Sequence, residues 1–305
     1  MKDVGQQSAA VAALRQAVPY IRMYKGKTFV VKAGGVALGS DAAARAVVEQ
    51  VHVLHQVGVR VVLVHGGGPQ SSALSRALGA EPRFVAGRRV TDDEALEVAT
   101  LVLNGAVNTR LLAACRAIGL PAVGLSGVAA GLVLARRRPP VAAAGEPGGM
   151  VDYGHVGDIV GIDPGVLETL LTAGFVPVVS SLSADDAGAL LNINADTAAA
   201  ALAVALGAEK LMLVTGAPGI LERPGDPGSL VSLTDLAGLE RLRQGGCLED
   251  GMLPKASSIE MALRGGVRRV HIVGTEVPDS LLAEVFTNEG VGTLVVAAER
   301  PEAAA

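Results

Sequence analysis

Two strand-like runs in this chain empty into glycines: Phe29-Val30-Val31-Lys32-Ala33-Gly34-Gly35 and Val61-Val62-Leu63-Val64-His65-Gly66-Gly67-Gly68-Pro69-Gln70. Consecutive glycines cost backbone entropy, and what they permit is close approach to the main chain. Amide N–H groups at a strand's carboxyl end, beside a following helix, suit anionic oxygens, and Lys32 adds a fixed positive charge. The two turns therefore point to phosphate and carboxylate chemistry; the plainer reading is a pair of tight strand-to-helix turns. Familiar phosphate motifs do not fit. Gly34 to Ser40 spaces its glycines like a P-loop but lacks the lysine before the serine, and Gly66 to Ser71 does not spell Gly-x-Gly-x-x-Gly. His-Glu-x-x-His and Gly-x-Ser-x-Gly are missing too. The five histidines are scattered, so no resident metal is expected.

Four further stretches carry groups suited to the same chemistry. Gly87-Arg88-Arg89-Val90-Thr91-Asp92 sets arginines just before a helix start signalled by Thr91 and Asp92. A guanidinium offers a planar fork to a carboxylate, although a surface arginine beside a helix cap is the plainer reading. In Leu191-Asn192-Ile193-Asn194-Ala195-Asp196, asparagines two apart in an extended segment share one face, so Asn192 and Asn194 can both look into a site. Helix capping by Asp196 would leave that asparagine pair unexplained. Val214-Thr215-Gly216-Ala217-Pro218-Gly219-Ile220 is a strand ending in a loop able to wrap a nucleotide, and taken alone is a turn. Gly251-Met252-Leu253-Pro254-Lys255 brings a lysine to a helix start, where a solvent-facing lysine is the common case. The run Arg136 to Arg138 is expected to be a solvated surface rather than a phosphate clamp.

These groups need a frame. Strand-like runs recur over 28–32, 59–64, 122–125, 176–180, 210–215 and 269–273, with helical patterns over 42–57, 69–78, 91–118, 164–173, 196–206 and 257–265. Such alternation predicts an α/β fold with a mostly parallel sheet covered on both faces, and ligands beyond the strands' carboxyl ends. Ahead of the first strand, residues 8–23 place Val11, Leu14, Val18 and Ile21 on one helical stripe with no partner in their own segment, and Pro19 marks a kink or an end. Residues 136–150 read as a loop or flap, and a lobe boundary falls near residue 205.

Composition narrows the class. Half the chain is hydrophobic and 18% is charged, with 39 glycines and few aromatics, which fits an Ala/Val/Leu-packed globular enzyme. A net charge of -4 gives no general reason for nucleic-acid or anionic-membrane binding. Cys115 and Cys247 are too few for a disulfide framework and agree with a reducing cytoplasm. No apolar run approaches the roughly 20 residues of a membrane span, and no signal peptide is evident at the amino terminus.

Together the pieces resemble one family: the N-acetylglutamate kinases of the amino-acid kinase superfamily. The resemblance runs from Gly26-Lys27-Thr28-Phe29-Val30-Val31-Lys32 through Val64-His65-Gly66-Gly67-Gly68-Pro69-Gln70, Arg89-Val90-Thr91-Asp92, Asn192-Ile193-Asn194-Ala195-Asp196-Thr197-Ala198-Ala199 and Gly251-Met252-Leu253-Pro254-Lys255 to Phe286-Thr287-Asn288-Glu289-Gly290-Val291-Gly292-Thr293. Each piece alone is weak, whereas their order and spacing are highly specific.

The resemblance implies a three-layer αβα sandwich with an open, mainly parallel sheet, the carbamate kinase-like fold. It further implies an amino-terminal oligomerisation helix (1–24), an acetylglutamate-binding and dimerisation lobe (25–205) and an ATP-binding lobe (206–305). The implied reaction moves the γ-phosphoryl group of ATP, carried with Mg²⁺, to the side-chain carboxylate of N-acetyl-L-glutamate. A carboxylate with a reference pKa of about 4.3 is already ionised at neutral pH and needs no general base. The difficulty is to bring two anions together, which calls for lysines, backbone amides and Mg²⁺.

By similarity Lys32 and Lys255 are the transition-state lysines, and Asp196 orients them. Gly67, Gly68, Arg89, Asn192 and Asn194 would hold the acetylamino acid; Gly34, Gly35, Thr215, Gly216, Pro218, Gly219 and Met252 would hold ATP and its phosphates. The helix with Pro19-Tyr20-Ile21 resembles that of arginine-inhibited members, where such helices interlace dimers into a hexamer, a trimer of dimers. Tyr20, Lys210, His271, Glu289 and Gly290 fall where those members bind arginine. The chain departs from the family's common pattern at Ala33 (usually aromatic or aliphatic), at Gly216 (usually Asp), at Val128-Ala129-Ala130 (usually Lys-Asp-Gly) and at Gly274-Thr275-Glu276 (usually Asp-Gly-Arg). Competing readings are a kinase for N-acetyl-2-aminoadipate, longer by one methylene, and a catalytically weak arginine-sensing subunit. Retention of Lys32, Asp196 and Lys255 argues against the second.

Overall fold

The computed structural model describes residues 4–142, 149–248, 251–288 and 290–298. At its centre is an eight-stranded sheet in the order Leu233–Asp235, Thr293–Val296, Arg269–Gly274, Lys210–Thr215, Thr28–Ala33, Arg60–His65, Val176–Ser180 and Ala122–Ser126. Neighbours run parallel except Arg269–Gly274 and Thr293–Val296, which are antiparallel. Thr28–Ala33 and Val176–Ser180 are buried at every position, as expected of inner strands in a parallel sheet covered on both faces.

Alternate side chains divide between those faces. Phe29, Val31, Val61, Leu63 and Met212 pack with Val47, Val51, Leu54 and Leu111 on one side. Val30, Val62, Val64, Leu211 and Leu213 pack with Leu167, Ala199, Leu202 and Ile259 on the other. This is the predicted three-layer α/β architecture. Strands from before and after residue 205 join in the one sheet, with Phe29 opposite Lys210 and Ala33 opposite Val214. Register also aligns Ala33 with His65, so both glycine turns open at the same edge.

A four-stranded sheet that the sequence patterns did not announce runs in the order Leu190–Asn192, Leu182–Ala184, Val133–Arg137 and Gly157–Ile162. It delivers Asn192 to the site. The expected flap over 136–150 is partly strand: Val133–Arg137 reaches into it, and Val141–Ala142 pairs with Met150–Val151.

The single helix expected over 91–118 is three segments: Asp93–Thr100, a π-helical turn Leu101–Val107, and Asn108–Ala117. Asp92 caps its start by accepting from Ala95 N–H at 2.9 Å. By length and composition alone Asp93–Ala117 would also pass for a membrane span. Its Val98, Val102, Val107, Leu111 and Cys115 are instead buried in the core.

The first helix, Val4–Tyr24, runs through Pro19 instead of ending there. Its last turn is docked: buried Tyr24 meets Phe29 edge-on at 5.2 Å between ring centroids, and Lys25 N–H continues the ladder to Ile21 O at 2.9 Å. That packing offsets the one hydrogen bond a proline removes. Val11 and Leu14 are exposed on the free part of the helix.

Candidate active site

Asp196 opens the site's chemistry. It lies in the first turn of helix Ala195–Ala205 and is buried. Capping there is done by Asn194, whose side-chain oxygen accepts from Thr197 N–H at 2.9 Å, so Asp196 is free for another task. Its Oδ2 accepts a hydrogen bond from Lys255 Nζ at 2.8 Å, and its Oδ1 pairs with Lys32 Nζ at the same distance. Lys32 arrives from the strand Thr28–Ala33; Lys255, from the first turn of helix Leu253–Arg264.

Burial is the largest influence on Asp196 and pushes its carboxyl up, but the two lysines together outweigh it and hold the group below its ordinary value. Burial likewise pulls Lys32 down, with Lys255 adding to the effect and Asp196 opposing it. Two ammonium groups share one carboxylate. The cluster therefore keeps one net positive charge, which an incoming anion can neutralise in a place where charge is poorly screened by water.

The glycine turns form the floor of a cavity of about 520 Å³, lined by Lys32, Gly34, Gly35, Gly66, Gly67, Gly68, Arg89, Asn192, Asn194 and Asp196. Its size suits a small-molecule ligand. Close packing explains two of the glycines. A Cβ on Gly34 would lie 3.0 Å from Lys32 Nζ, and one on Gly67 would lie 3.0 Å from Leu103 Cδ2 and 3.2 Å from Val102 Cγ1 in the π-helical turn. Gly68 starts the helix Gly68–Ala77, with Pro69 in its first turn.

Arg89 is more than a surface arginine. It is half-buried, its Nη2 donates to Gly68 O at 3.1 Å and to Ser72 Oγ, and its guanidinium lies 4.8 Å over the Phe84 ring. Asn192 Nδ2 donates to Thr91 Oγ1 at 3.2 Å. Sequence reasoning missed Ser71, Ser72, Phe84, Ser181 and Arg138 on the cavity wall. Arg138 corrects the view of Arg136 to Arg138 as a solvated run: its Nε donates to Asp158 Oδ1 at 2.9 Å, and the side chain is only 15% exposed. Arg137 and Asp152 pair at the surface, as expected of such a run.

Thr215, Gly216, Pro218, Gly219 and Met252 do not line this cavity. Thr215 O accepts from Thr275 N–H at 3.1 Å. A Cβ on Gly216 would lie 2.7 Å from Val36 Cγ2, and one on Gly219 would lie 2.5 Å from Thr293 Oγ1. Met252 packs against the core.

Elsewhere, His271 Nδ1 meets Glu284 Oε1 at 2.8 Å, and Glu284 Oε2 also accepts from Val291 and Gly292 N–H beside Gly290. Lys210 Nζ lies 4.8 Å over the Tyr24 ring, and Tyr20 donates to Asn288 Oδ1 at 2.5 Å. Glu289 lies outside the described residues.

The amino acid kinase family model matches residues 27–274. Acetylglutamate kinase of Myxococcus xanthus is 50% identical over 288 residues, 93% of this chain and 94% of that protein. The enzyme of that name from Symbiobacterium thermophilum is 46% identical over 285 residues, 93% of this chain and 97% of that protein. Among solved structures, N-acetylglutamate synthase from Neisseria gonorrhoeae, complexed with coenzyme A and N-acetyl-glutamate, matches with a TM-score of 0.82 and 31% identity over 95% of this chain. This chain spans 64% of that longer protein. Carbamate kinase from Giardia lamblia bound to AMP-PNP, at 18% identity and a TM-score of 0.58 over 89% of this chain and 98% of that one, shares the fold. The chain belongs to the amino acid kinase family and, within it, to the acetylglutamate kinases.

Proposed function

We propose that this chain transfers the γ-phosphoryl group of ATP to the side-chain carboxylate of N-acetyl-L-glutamate, giving N-acetyl-L-glutamyl 5-phosphate in arginine biosynthesis. The observation that carries the reading is Asp196 held between Lys32 and Lys255 at one end of a cavity that also holds Arg89 and Asn192. The ionised carboxylate of the acceptor is itself the nucleophile. Lys32 and Lys255 offset the charge shared between the transferred phosphoryl and its neighbours, and Asp196 keeps the two ammonium groups apart and aimed.

Arg89, stiffened by Phe84 and Ser72, binds the acceptor's second carboxylate, while Asn192, Asn194 and the amides of Gly67 and Gly68 take its remaining polar atoms. Gly34 and Gly35 face the phosphates, and the Gly67 N–H, at the border between acceptor and nucleotide, also faces the transferred phosphoryl group. Thr215 to Gly219 and Met252, in the ATP-binding lobe after residue 205, hold the rest of the nucleotide. Mg²⁺ would arrive on the ATP phosphates and neutralise part of their charge.

The exposed Val11 and Leu14 on the first helix support an interlaced homo-oligomer, a dimer assembled further into a hexamer. The buried charges around Glu284, with Tyr20 and Lys210 nearby, support arginine as a feedback ligand, and the cytoplasm is the proposed location. Steady-state ADP release with N-acetylglutamate, N-acetyl-2-aminoadipate, glutamate and aspartate, each with and without arginine, tests the substrate. Turnover greatest with N-acetylglutamate is expected. None with any acceptor would sink the kinase reading.

A further inference from the structure

Buried polar groups that the chemistry above leaves unused gather directly behind the glycines. His65 is fully buried, and Asn108 nearly so, at the start of the helix that follows the π-helical turn. Asn108 Nδ2 donates to Val178 O and to His65 Nε2, each at 3.0 Å. A carbonyl only accepts, so Val178 fixes which end of the Asn108 amide faces it, and the second amide hydrogen must find Nε2 as an acceptor. The imidazole proton is thereby left on Nδ1, which donates to Gly66 O at 3.2 Å.

In a trans peptide the C=O and the next N–H point in opposite directions. With the Gly66 carbonyl turned inward onto the ring, Gly67 N–H is turned outward, on the side of the cavity that Gly67 lines. It has no acceptor among the described residues. Gly66 N–H is fixed in turn to Ala33 O at 3.2 Å, beside Lys32. The seat is made to measure on the far side as well: a Cβ on Gly124 would lie 2.2 Å from Asn108 Oδ1.

We propose that His65 and Asn108 are positioning residues for phosphoryl transfer: Asn108 sets the imidazole tautomer, and the imidazole, by holding the Gly66 carbonyl, aims Gly67 N–H at the phosphoryl group. The proposal rests on Gly67 serving as a donor in the kinase reaction above.

Asn108→Asp keeps the side-chain shape but offers Nε2 an acceptor in place of a donor, so the ring must shift its proton or carry two. Measured per folded molecule, kcat in this variant falls roughly 10- to 100-fold, the scale of a small misplacement of a reacting group. KM for ATP is unchanged, and a new pH dependence appears between about pH 5 and 8, where an imidazole freed to charge titrates. Gly124→Ala, which touches no reactant, reproduces the loss of kcat by displacing Asn108. Nitrogen-15 NMR of the wild-type imidazoles reads the tautomer independently of activity, and a His65 proton on Nδ1 is expected.

A proton on Nε2, or wild-type kcat and pH profile in Asn108→Asp, overturns the positioning role. Wild-type protein inactive with N-acetylglutamate would instead overturn the function on which that role rests. Should Asn108→Asp not fold, Gly124→Ala and the wild-type tautomer decide.

Discussion

Asp196 Oδ2 accepts a hydrogen bond from Lys255 Nζ at 2.8 Å, which ties the first turn of one helix to the first turn of another. Lys32 approaches the other oxygen at 2.8 Å, so removing any of the three changes the balance of a buried cluster. Lys32→Ala and Lys255→Ala are each expected to lower kcat by roughly 100-fold or more, the scale of losing one donor to developing negative charge. Asp196→Asn leaves two ammonium groups without a counter-charge and is expected to cost as much. Steady-state kinetics on each variant check this, and near-normal turnover in one of them removes that residue from its role.

Two buried imidazoles give the stability of the fold a distinctive pH dependence. Burial, only partly opposed by the Gly66 carbonyl at His65 and by Glu284 at His271, pushes both pKa values down to about 4 from an ordinary 6.5. Above pH 6.5 neither the folded nor the unfolded chain charges them, and their burial costs nothing in protonation. As pH falls from 6.5 towards 4 the unfolded chain takes up protons that the folded chain refuses, so stability drops. At pH 5 the loss is about 2 kcal/mol per histidine relative to neutral pH. Denaturant titrations at pH 7.5 and 5.0 should show it, and equal midpoints would mean that the two rings are not held neutral.

Ala130 adopts φ 51° and ψ 27°, a left-handed conformation that side chains resist. Ala130→Gly relieves that strain, at some cost in unfolded-chain entropy, and is expected to stabilise the protein by about 0.5–1 kcal/mol. Thermal unfolding measures the change. A destabilised variant would show that contacts of the Ala130 methyl outweigh its backbone.

Deleting residues 1–22 removes the exposed Val11 and Leu14, and with them Tyr20, whose hydroxyl donates to Asn288. The expected product is a dimer insensitive to arginine, by light scattering and by ADP-release assay. A hexamer that survives the deletion places the larger interface elsewhere.

The central sheet was readable because its strands are continuous apolar runs, and its active edge because two such runs end in glycines at Gly34 and Gly66. The second sheet was not. Leu182–Ala184 and Leu190–Asn192 have three residues each, Gly157–Ile162 contains Gly157 and Gly161, and Val133–Arg137 ends in arginines, so no period-two pattern stands out. Arg138 was hidden for a related reason: its partner Asp158 lies 20 residues away and comes beside it only through antiparallel pairing of the strands that carry Arg136 and Asp158. The π-helical turn was hidden inside an apolar helical pattern, where a change in hydrogen-bond step leaves composition untouched. Its consequence is visible only in three dimensions, as Leu103 against Gly67 and Asn108 against His65. For Lys255 and Asp196 local pattern showed only a helix-start lysine and a helix-start acid; family resemblance joined them, and their contact gives that resemblance a physical form.

The most direct test of the account is to trap its product. An acyl phosphate formed on the side-chain carboxylate reacts with hydroxylamine, releasing phosphate and leaving a hydroxamate on that carbon. With ATP, Mg²⁺, N-acetylglutamate and hydroxylamine, the wild-type chain is expected to yield hydroxamate in equal amount to ADP, with both lost in Lys32→Ala and Lys255→Ala. ADP produced without hydroxamate would contradict carboxylate phosphorylation and return the site to an unidentified phosphoryl acceptor.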